Sequence, residues 1–577
     1  MTHQDVTAVT AWLGAFEKAL PDAGALFMPD GQWRDILSVT WDIISVSGRG
    51  DVESLLRKHV AQTRPTNFRI DPMRSAPQWV KRASTEALEA FVAFDTAAGC
   101  GNGVLRLVRD GGTFRAWTLS TWLTELTGHE ERLGKRRPMG PSDIRDFGAE
   151  NWLDQRNKAL RYEDRDPTVL IIGAGQAGLS IAARLGALGI DALVIDRNPR
   201  VGDNWRNRYH SLTLHNEVFV NDFPYMPFPP TWPTYISKDK LANWLESYAE
   251  AMELNCWMGT EFVSGSYDDT AESWTTTVRR ADGTTRTFRP RHLVLAVGAS
   301  PISHTPKLPG LEAYRGTLMH SERYKTGVPF KGKRALVLGT GTSGHDVAQD
   351  LTACGAHVTM IQRSPTYVVS LKEAQRVYTT YTLGLPVEEC DALGISYPYR
   401  ALLEAYKAAT QESTRGDKQL LEGLAAAGFK LDVSENDYGF QLRYFERGGG
   451  YYFNVGASNM IVDGRIDLIQ YADVDSFVPE GVRMRDGKVV AADLLILATG
   501  YLMQQEVARR LLGDEIADRV GPVWGLDTNG ELANMWKRTP QKGLWFHAGS
   551  LPQCRIFSRF LALQIKACEE GLIAPVL

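Results

Sequence analysis

The spacing of apolar residues changes character along the chain. Val9, Trp12, Leu13, Phe16 and Leu20 recur at intervals of three and four, which predicts an amphipathic helix from about Asp5 to Leu20, and a second helix is expected near Val52 to Gln62. Beyond these the pattern alternates in runs such as LEAFVAF, GVLRLVR and TFRAWTLSTWLTEL, the signature of strands with one face inward. Helices followed by a meander of strands predict an α+β unit over residues 1–125, a curved antiparallel sheet wrapped on helices. Residues 126–165, with the charged stretch GKRRPMGPSD, read as a linker leading to a short helix, NWLDQRNKAL. From 166 onward short apolar strands alternate with helical periods, which predicts an α/β architecture.

Two of these strand–helix units carry glycine loops. In TVLIIGAGQAGLSIAARLGALGIDALVIDR the loop is GxGxxG, with Gly173 for the tight turn, Gly175 for backbone approach to a pyrophosphate and Gly178 for helix–strand packing. Gln176 and Ala177 lie within that loop. Asp196, 23 residues after Gly173, ends the next strand, where a carboxylate bonds ribose hydroxyls, and Arg197 follows it. The second unit, RALVLGTGTSGHDVAQDLTACGAHVTMIQRS, repeats the pattern with Gly339, Gly341, Thr342, Ser343 and Gly344. The same count from Gly339 lands on Gln362, followed by Arg363 and Ser364. A carboxylate there would repel a 2′-phosphate, whereas arginine offers it a charge-assisted fork. The first loop therefore suits FAD or NAD and the second NADPH. Two further strands ending at glycine, HLVLAVGAS and DLLILATGY, fit the places where the chain crosses between the two nucleotide domains. The expected boundaries are a first nucleotide domain over 166–320, a second over 321–490 with a helical insertion at about 370–450, and a return to the first over 491–577. The final helix would cap the flavin at its N-terminus.

Composition narrows the possibilities. A net charge of -4 over 577 residues leaves no basic footprint for nucleic acid. The six cysteines form no CxxC pair and no metal-ligand spacing, which argues against a disulfide framework, a metal site and dithiol redox chemistry. No window approaches 18 uninterrupted apolar residues and the first twenty lack a signal-peptide pattern, so a cytoplasmic protein is expected. Two dinucleotides in one chain imply hydride transfer from nicotinamide to flavin. With no cysteine pair, the electron acceptor is oxygen, a quinone or another carrier.

The stretch YRGTLMHSERYK, between the two loops, carries a resemblance. Flavin-containing monooxygenases and the related Baeyer–Villiger enzymes share a pattern FxGxxxHxxx followed by Tyr or Phe in the former and Trp in the latter. Tyr314, Gly316, His320 and Tyr324 stand in that register, with Tyr in place of the first Phe. The ATGY of Ala498, Thr499, Gly500 and Tyr501 matches a second family pattern, and Gly202, Asn204 and Trp205 in GDNWRNRYH resemble the region after the flavin-ribose acid. Over residues 165–577 the chain is thus similar to that family. Lys325 and the extra N-terminal domain make it look most like the bacterial type II members, and the N-terminal unit resembles the NTF2-like (SnoaL-like) cone fold. What the resemblance implies is an FAD- and NADPH-dependent monooxygenase, in which O2 adds at the flavin C4a and one oxygen atom passes to a small sulfide, amine or ketone. An NADPH oxidase or quinone reductase with a separate N-terminal binding module is the alternative. The candidate catalytic residues it implies are Asn216 and His215, placed to polarise an oxygen, with His320, Tyr324 and Lys325 of the motif, His320 being read as an orienting residue. Gln564 in the last helix joins the cofactor contacts. Arg206, Arg208, Lys325 and Arg559 are candidates for a fixed cation near the flavin, and Trp33, Arg34 and Asp35 for an N-terminal pocket. The insertion is expected to wall a substrate tunnel or to join two copies in a homodimer.

Overall fold

The computed structural model describes residues 3–139, 148–433 and 437–576. Part of the expected linker (140–147) and of the insertion (434–436) lies outside the described residues. The N-terminal unit has the helices His3–Ala19 and Arg49–Thr63 against a seven-stranded sheet. Most of its strand pairs are antiparallel, but Phe27–Ile36 runs parallel to Thr113–Leu126. The strand Thr85–Asp95 is buried on both faces, so the alternation read from sequence is only half of the picture: every residue from Ala87 to Phe94 is buried. Leu88, Ala90 and Val92 pack under the helices with Trp12 and Phe16, while Phe91 turns the other way and joins the core of the following units. A sheet covered on both sides needs apolar residues in both phases.

Five parallel strands form the first nucleotide sheet, in the order Asn255–Met258, Ala192–Asp196, Val169–Ile172, His292–Leu295 and Leu544–Phe546. The last comes from the far end of the chain, and the helix Leu551–Glu569 that follows packs on Gln176–Ala187. The second sheet is also parallel, in the order Thr317–His320, Leu494–Leu497, Arg334–Leu338, His357–Gln362 and Ile466–Gln470. It takes Thr317–His320 and Leu494–Leu497 across the boundaries expected at 320 and 490. Leu494–Leu497 is apolar and buried between two hydrogen-bonded neighbours, while Thr317–His320 is the sheet's edge, with Thr317 and Leu318 exposed, so the run DLLIL belongs to the interior of the second sheet and not to the returning first domain. Between them the insertion contributes Val387–Ile395, Tyr399–Gly416, Lys418–Ala426 and Gly439–Arg447. Its helices lie against the open face of the N-terminal sheet, where Arg106 donates to Ser396 O and Ala401 N donates to Gln32 Oε1. Among the described residues no helix is long and apolar enough to cross a membrane.

Candidate functional site

A single cavity of about 1170 Å³ runs between the two nucleotide sheets, the insertion and the N-terminal unit. Its first wall is the Gly173–Gly178 loop. Gly173 has φ +112°, and a side chain there would strike Ala296 O; a Cβ on Gly178 would stand 1.8 Å from Gly173 O. Only glycine lets this turn close and the helix Gln176–Ala187 come so near its strand. Gly173, Gly175, Gln176 and Ala177 line the cavity together with Asp196 and Arg197. Asp196 Oδ2 accepts from Ala174 N at 2.8 Å, which fixes the carboxylate at the loop's edge. Asn204 lines the same wall with a buried Oδ1 that has no partner among the described residues, and Trp205 Nε1 donates to Gln176 Oε1. An orphaned acceptor beside a glycine cradle, with a carboxylate at the next strand end, fits a dinucleotide. Gly202 is set behind this wall, where a Cβ would collide with Ala242 O.

The second loop is built alike. Gly339 has φ +116° against Ala498 O, and Gly344 packs on Gly339 O, while a Cβ on Gly341 would have 4.0 Å of clearance to Tyr451 O. Thr342 and Ser343, at the N-terminus of the helix Thr342–Ala353, face the cavity. Arg363 and Ser364 lie past the strand His357–Gln362, exposed, with Arg363 Nε donating to Ser364 Oγ. The open glycine, helix N-terminus and exposed guanidinium suit a second dinucleotide with a further phosphate.

His215 and Asn216 both line the cavity, His215 beside Phe453. The Asn216 side chain lies beside the Tyr378 hydroxyl, and Gln375 Nε2 donates to His215 O. Beside them Tyr209 donates to Asp346 Oδ2 on the second unit's helix. Burial pushes the Asp346 carboxyl up, against the opposing effects of His215 and Tyr209, and pushes the His215 imidazole down. Tyr209, Asp346 and Tyr378 were not singled out in the sequence; Asp346 lies two residues past the last loop glycine, and Tyr378 sits in a tyrosine-rich run.

Several expected site residues lie elsewhere. His320 does not line the cavity: Nε2 donates to Gly500 O at 3.2 Å and Nδ1 accepts from Glu322 N at 3.1 Å, so both ring nitrogens are committed to backbone, as suits an orienting residue. Tyr324 donates to Asp350 Oδ2 at 2.5 Å inside the second core, and Lys325 Nζ donates to Asn207 O. The motif thus ties the first unit's segment 207–210 to the second unit, since His210 N also donates to Lys325 O at 2.8 Å. Ala498, Thr499, Gly500 and Tyr501 back the second loop and do not line the cavity; Thr499 Oγ1 donates to His304 O. Gln564 is wholly buried, donating to Trp536 O and accepting from Arg538 N, and the part of its helix that reaches the cavity ends at Phe557. Of the candidate cations only Arg208 lines the cavity, with its guanidinium 5.8 Å from the Trp205 ring; Arg206 is paired with Asp203 and Glu246. Period-two alternation splits the N-terminal candidates. Trp33 and Asp35 point inward, Asp35 accepting from Val39 N, Thr40 N and Thr121 Oγ1, whereas Arg34 faces the cavity.

The far end of the cavity is aromatic. The insertion supplies Tyr378, Tyr381, Tyr397, Tyr406 and Phe440, and the N-terminal unit adds Arg34 and Arg82. The proline-rich loop near Phe223 to Tyr235 takes no comparable part, since Phe228, Trp232 and Trp244 stack on one another in the first core.

Two glycine-loop nucleotide units opening on one cavity define a two-dinucleotide oxidoreductase architecture. Residues 166–384 match the family described as flavin-binding monooxygenase-like. Indole-3-pyruvate monooxygenase YUCCA1 of Oryza sativa subsp. japonica is 30% identical over 358 residues, which cover 60% of this chain and 80% of that one. YUCCA8 of Oryza sativa subsp. indica is 30% identical over 338 residues, 58% of this chain and 75% of its own. In fold, a cyclohexanone monooxygenase with bound epsilon-caprolactone superposes with a TM-score of 0.52 at 18% identity, covering 70% of this chain and 88% of the other. The chain belongs to the flavin-binding monooxygenase-like family.

Proposed function

We propose that the protein is an FAD- and NADPH-dependent monooxygenase that places one atom of O2 into a small, largely apolar organic substrate. The observation that carries this reading is the convergence of both glycine loops on a cavity whose remaining walls are aromatic. Gly173, Gly175 and the N-terminus of the following helix would hold the FAD pyrophosphate, with Asp196 on its ribose and Asn204 beside it. Thr342 and Ser343 would take the NADPH phosphates and Arg363 with Ser364 its 2′-phosphate. Bound FAD, reduced by NADPH, supplies the oxygen-activating chemistry.

The chain's own residues do the rest. The Asn216 amide lines the cavity beside Tyr378, where it can donate a hydrogen bond to a reacting oxygen. His215, held neutral by burial, can accept a proton there, and Asp346 with Tyr209 closes the second unit against the first. The insertion and the N-terminal sheet exclude water from the far end. Of the cations expected near the flavin, Arg208 lines this cavity, and a positive charge near the reacting oxygen favours its anionic, nucleophilic form, which suits attack on a ketone carbonyl in Baeyer–Villiger fashion over transfer to soft sulfur or nitrogen. The N-terminal unit, two helices against a curved sheet, fits the NTF2-like cone and serves as a wall of this site.

The test is isotopic. Holoenzyme turning over NADPH under 18O2 with a cyclic ketone and, separately, a thioether is expected to give labelled lactone in excess of labelled sulfoxide. Stoichiometric hydrogen peroxide with no label in either product would make the protein an NADPH oxidase instead.

A further inference from the structure

The two arginines that the N-terminal sheet turns to the cavity differ in how their charge is balanced. Arg34 forms a two-pronged pair with Glu531, Nε to Oε1 and Nη2 to Oε2, both 2.7 Å. One cation meets one carboxylate. Arg82 meets Glu89 in the same way, Nη2 to Oε1 at 2.6 Å and Nε to Oε2 at 3.1 Å, but Glu89 is shared. Arg106 stands directly across the sheet from it and donates Nε to Glu89 Oε2 at 2.8 Å. Two guanidiniums therefore hold one carboxylate, and the group keeps a surplus positive charge. Burial pushes the Glu89 carboxyl up, yet Arg106 and Arg82 more than offset it and hold the group below the usual carboxylate range, so it is already ionised and can offer no more.

The two cations are not equally available. Arg106 has no exposure; its Nη1 donates to Ser396 O, its Nη2 to Ser396 Oγ, and it lies 4.5 Å over the Tyr397 ring. Arg82 retains 21% side-chain exposure and lines the cavity, and among the described residues it donates from Nε and Nη2 only, leaving Nη1. Tyr397, from the insertion, lines the cavity there too. A surplus charge in a mostly apolar enclosure is costly without a counter-ion, and an anionic ligand supplies one.

Resting on the monooxygenase reading, we infer that Arg82 is a carboxylate subsite at the far end of the cavity, and that the substrates are aromatic or alicyclic compounds bearing a carboxylate remote from the oxidised carbon. The aromatic lining takes the body of such a molecule, and Arg82 its anionic end.

The test compares 3-phenylpropanoate with its uncharged isostere 3-phenylpropanamide by calorimetric titration of holoenzyme. Wild type is expected to bind the acid at least about tenfold more tightly than the amide, as a charge-assisted hydrogen bond requires. Arg82→Gln should remove that preference and Arg82→Lys should keep part of it. Thermal melts of all three check that they are folded. Equal binding of acid and amide by wild type, binding of neither, or a preference that survives in Arg82→Gln overturns the subsite. NADPH reduction of the flavin in the same wild-type preparation separates the two readings: reduction intact with no acid preference sinks the subsite alone, and no reduction sinks the monooxygenase.

Discussion

At the scale of single residues, the loop glycines are fixed by backbone proximity and the polar groups by what they can reach. Gly178→Ala would put a methyl 1.8 Å from Gly173 O, so neither the turn nor the helix can keep its place. That variant is expected to purify without flavin absorbance, and a normally yellow protein would refute the close approach. Arg363 is exposed and bonded only to its neighbour Ser364 among the hydrogen bonds of the described residues, so nothing competes for its fork. Arg363→Ala should raise the KM for NADPH by about tenfold or more, in line with roughly 1.5–3 kcal/mol for a hydrogen bond to a charged group, while leaving that for NADH nearly unchanged. Equal effects on both would show that the 2′-phosphate binds elsewhere. These glycines were legible in the sequence because close backbone approach admits one residue type. Gln564 was misplaced because sequence shows that a helix points at a cofactor but not how far along it the contact extends; Gln564 is seven positions past Phe557, roughly 10 Å at 1.5 Å per residue.

Among elements, the helix Thr342–Ala353 carries a titratable group into the second core. His345 stacks on Tyr452 with ring centroids 3.9 Å apart, and Nδ1 donates to Gly341 O. Burial pushes its imidazole down to about 4, although that hydrogen bond works the other way. Since an unfolded histidine titrates near 6.5, the folded protein binds fewer protons between these values. Stability is therefore undiminished above about pH 6.5 and falls as the pH is lowered toward 4, by about 3 kcal/mol in full. His345→Phe keeps the ring and removes the proton, so urea denaturation between pH 7 and 4.5 should show a shallower decline than wild type by close to one proton. Parallel declines would mean that the group titrates normally. The strands of both nucleotide sheets were readable from their short apolar runs, but their neighbours were not. Leu544–Phe546 pairs with His292–Leu295 across some two hundred and fifty intervening residues, and Leu494–Leu497 sits mid-sheet in the second unit although its position in the chain suggested a return to the first. Period tells a residue which way to face; it does not tell a strand which partner it will meet.

For the whole molecule, the N-terminal unit is bound to the rest by buried ionic contacts. Arg34 and Glu531 keep only 12% and 8% of their side-chain exposure, and Ser45 Oγ also donates to Glu531 Oε1. Arg34→Ala would strand that carboxylate and is expected to cost about 3–5 kcal/mol, whereas Arg34→Met with Glu531→Leu should recover most of it. A double-mutant cycle by chemical denaturation measures the difference, and additive losses would contradict the pairing. None of this could be read in advance, because the partners are nearly five hundred positions apart and neither is unusual in its local setting.

Among the described residues, the cavity takes its glycine-loop walls and its aromatic lining from those beyond 165, and from the first 126 only two side chains, Arg34 and Arg82. The glycine loops and the two cationic side chains at the other end are thus written in separable stretches of one gene. Recombination that exchanged only the leading segment between relatives would replace those two charges and leave both glycine loops unaltered, provided that the incoming sheet still presented partners for Glu531 and Ser396.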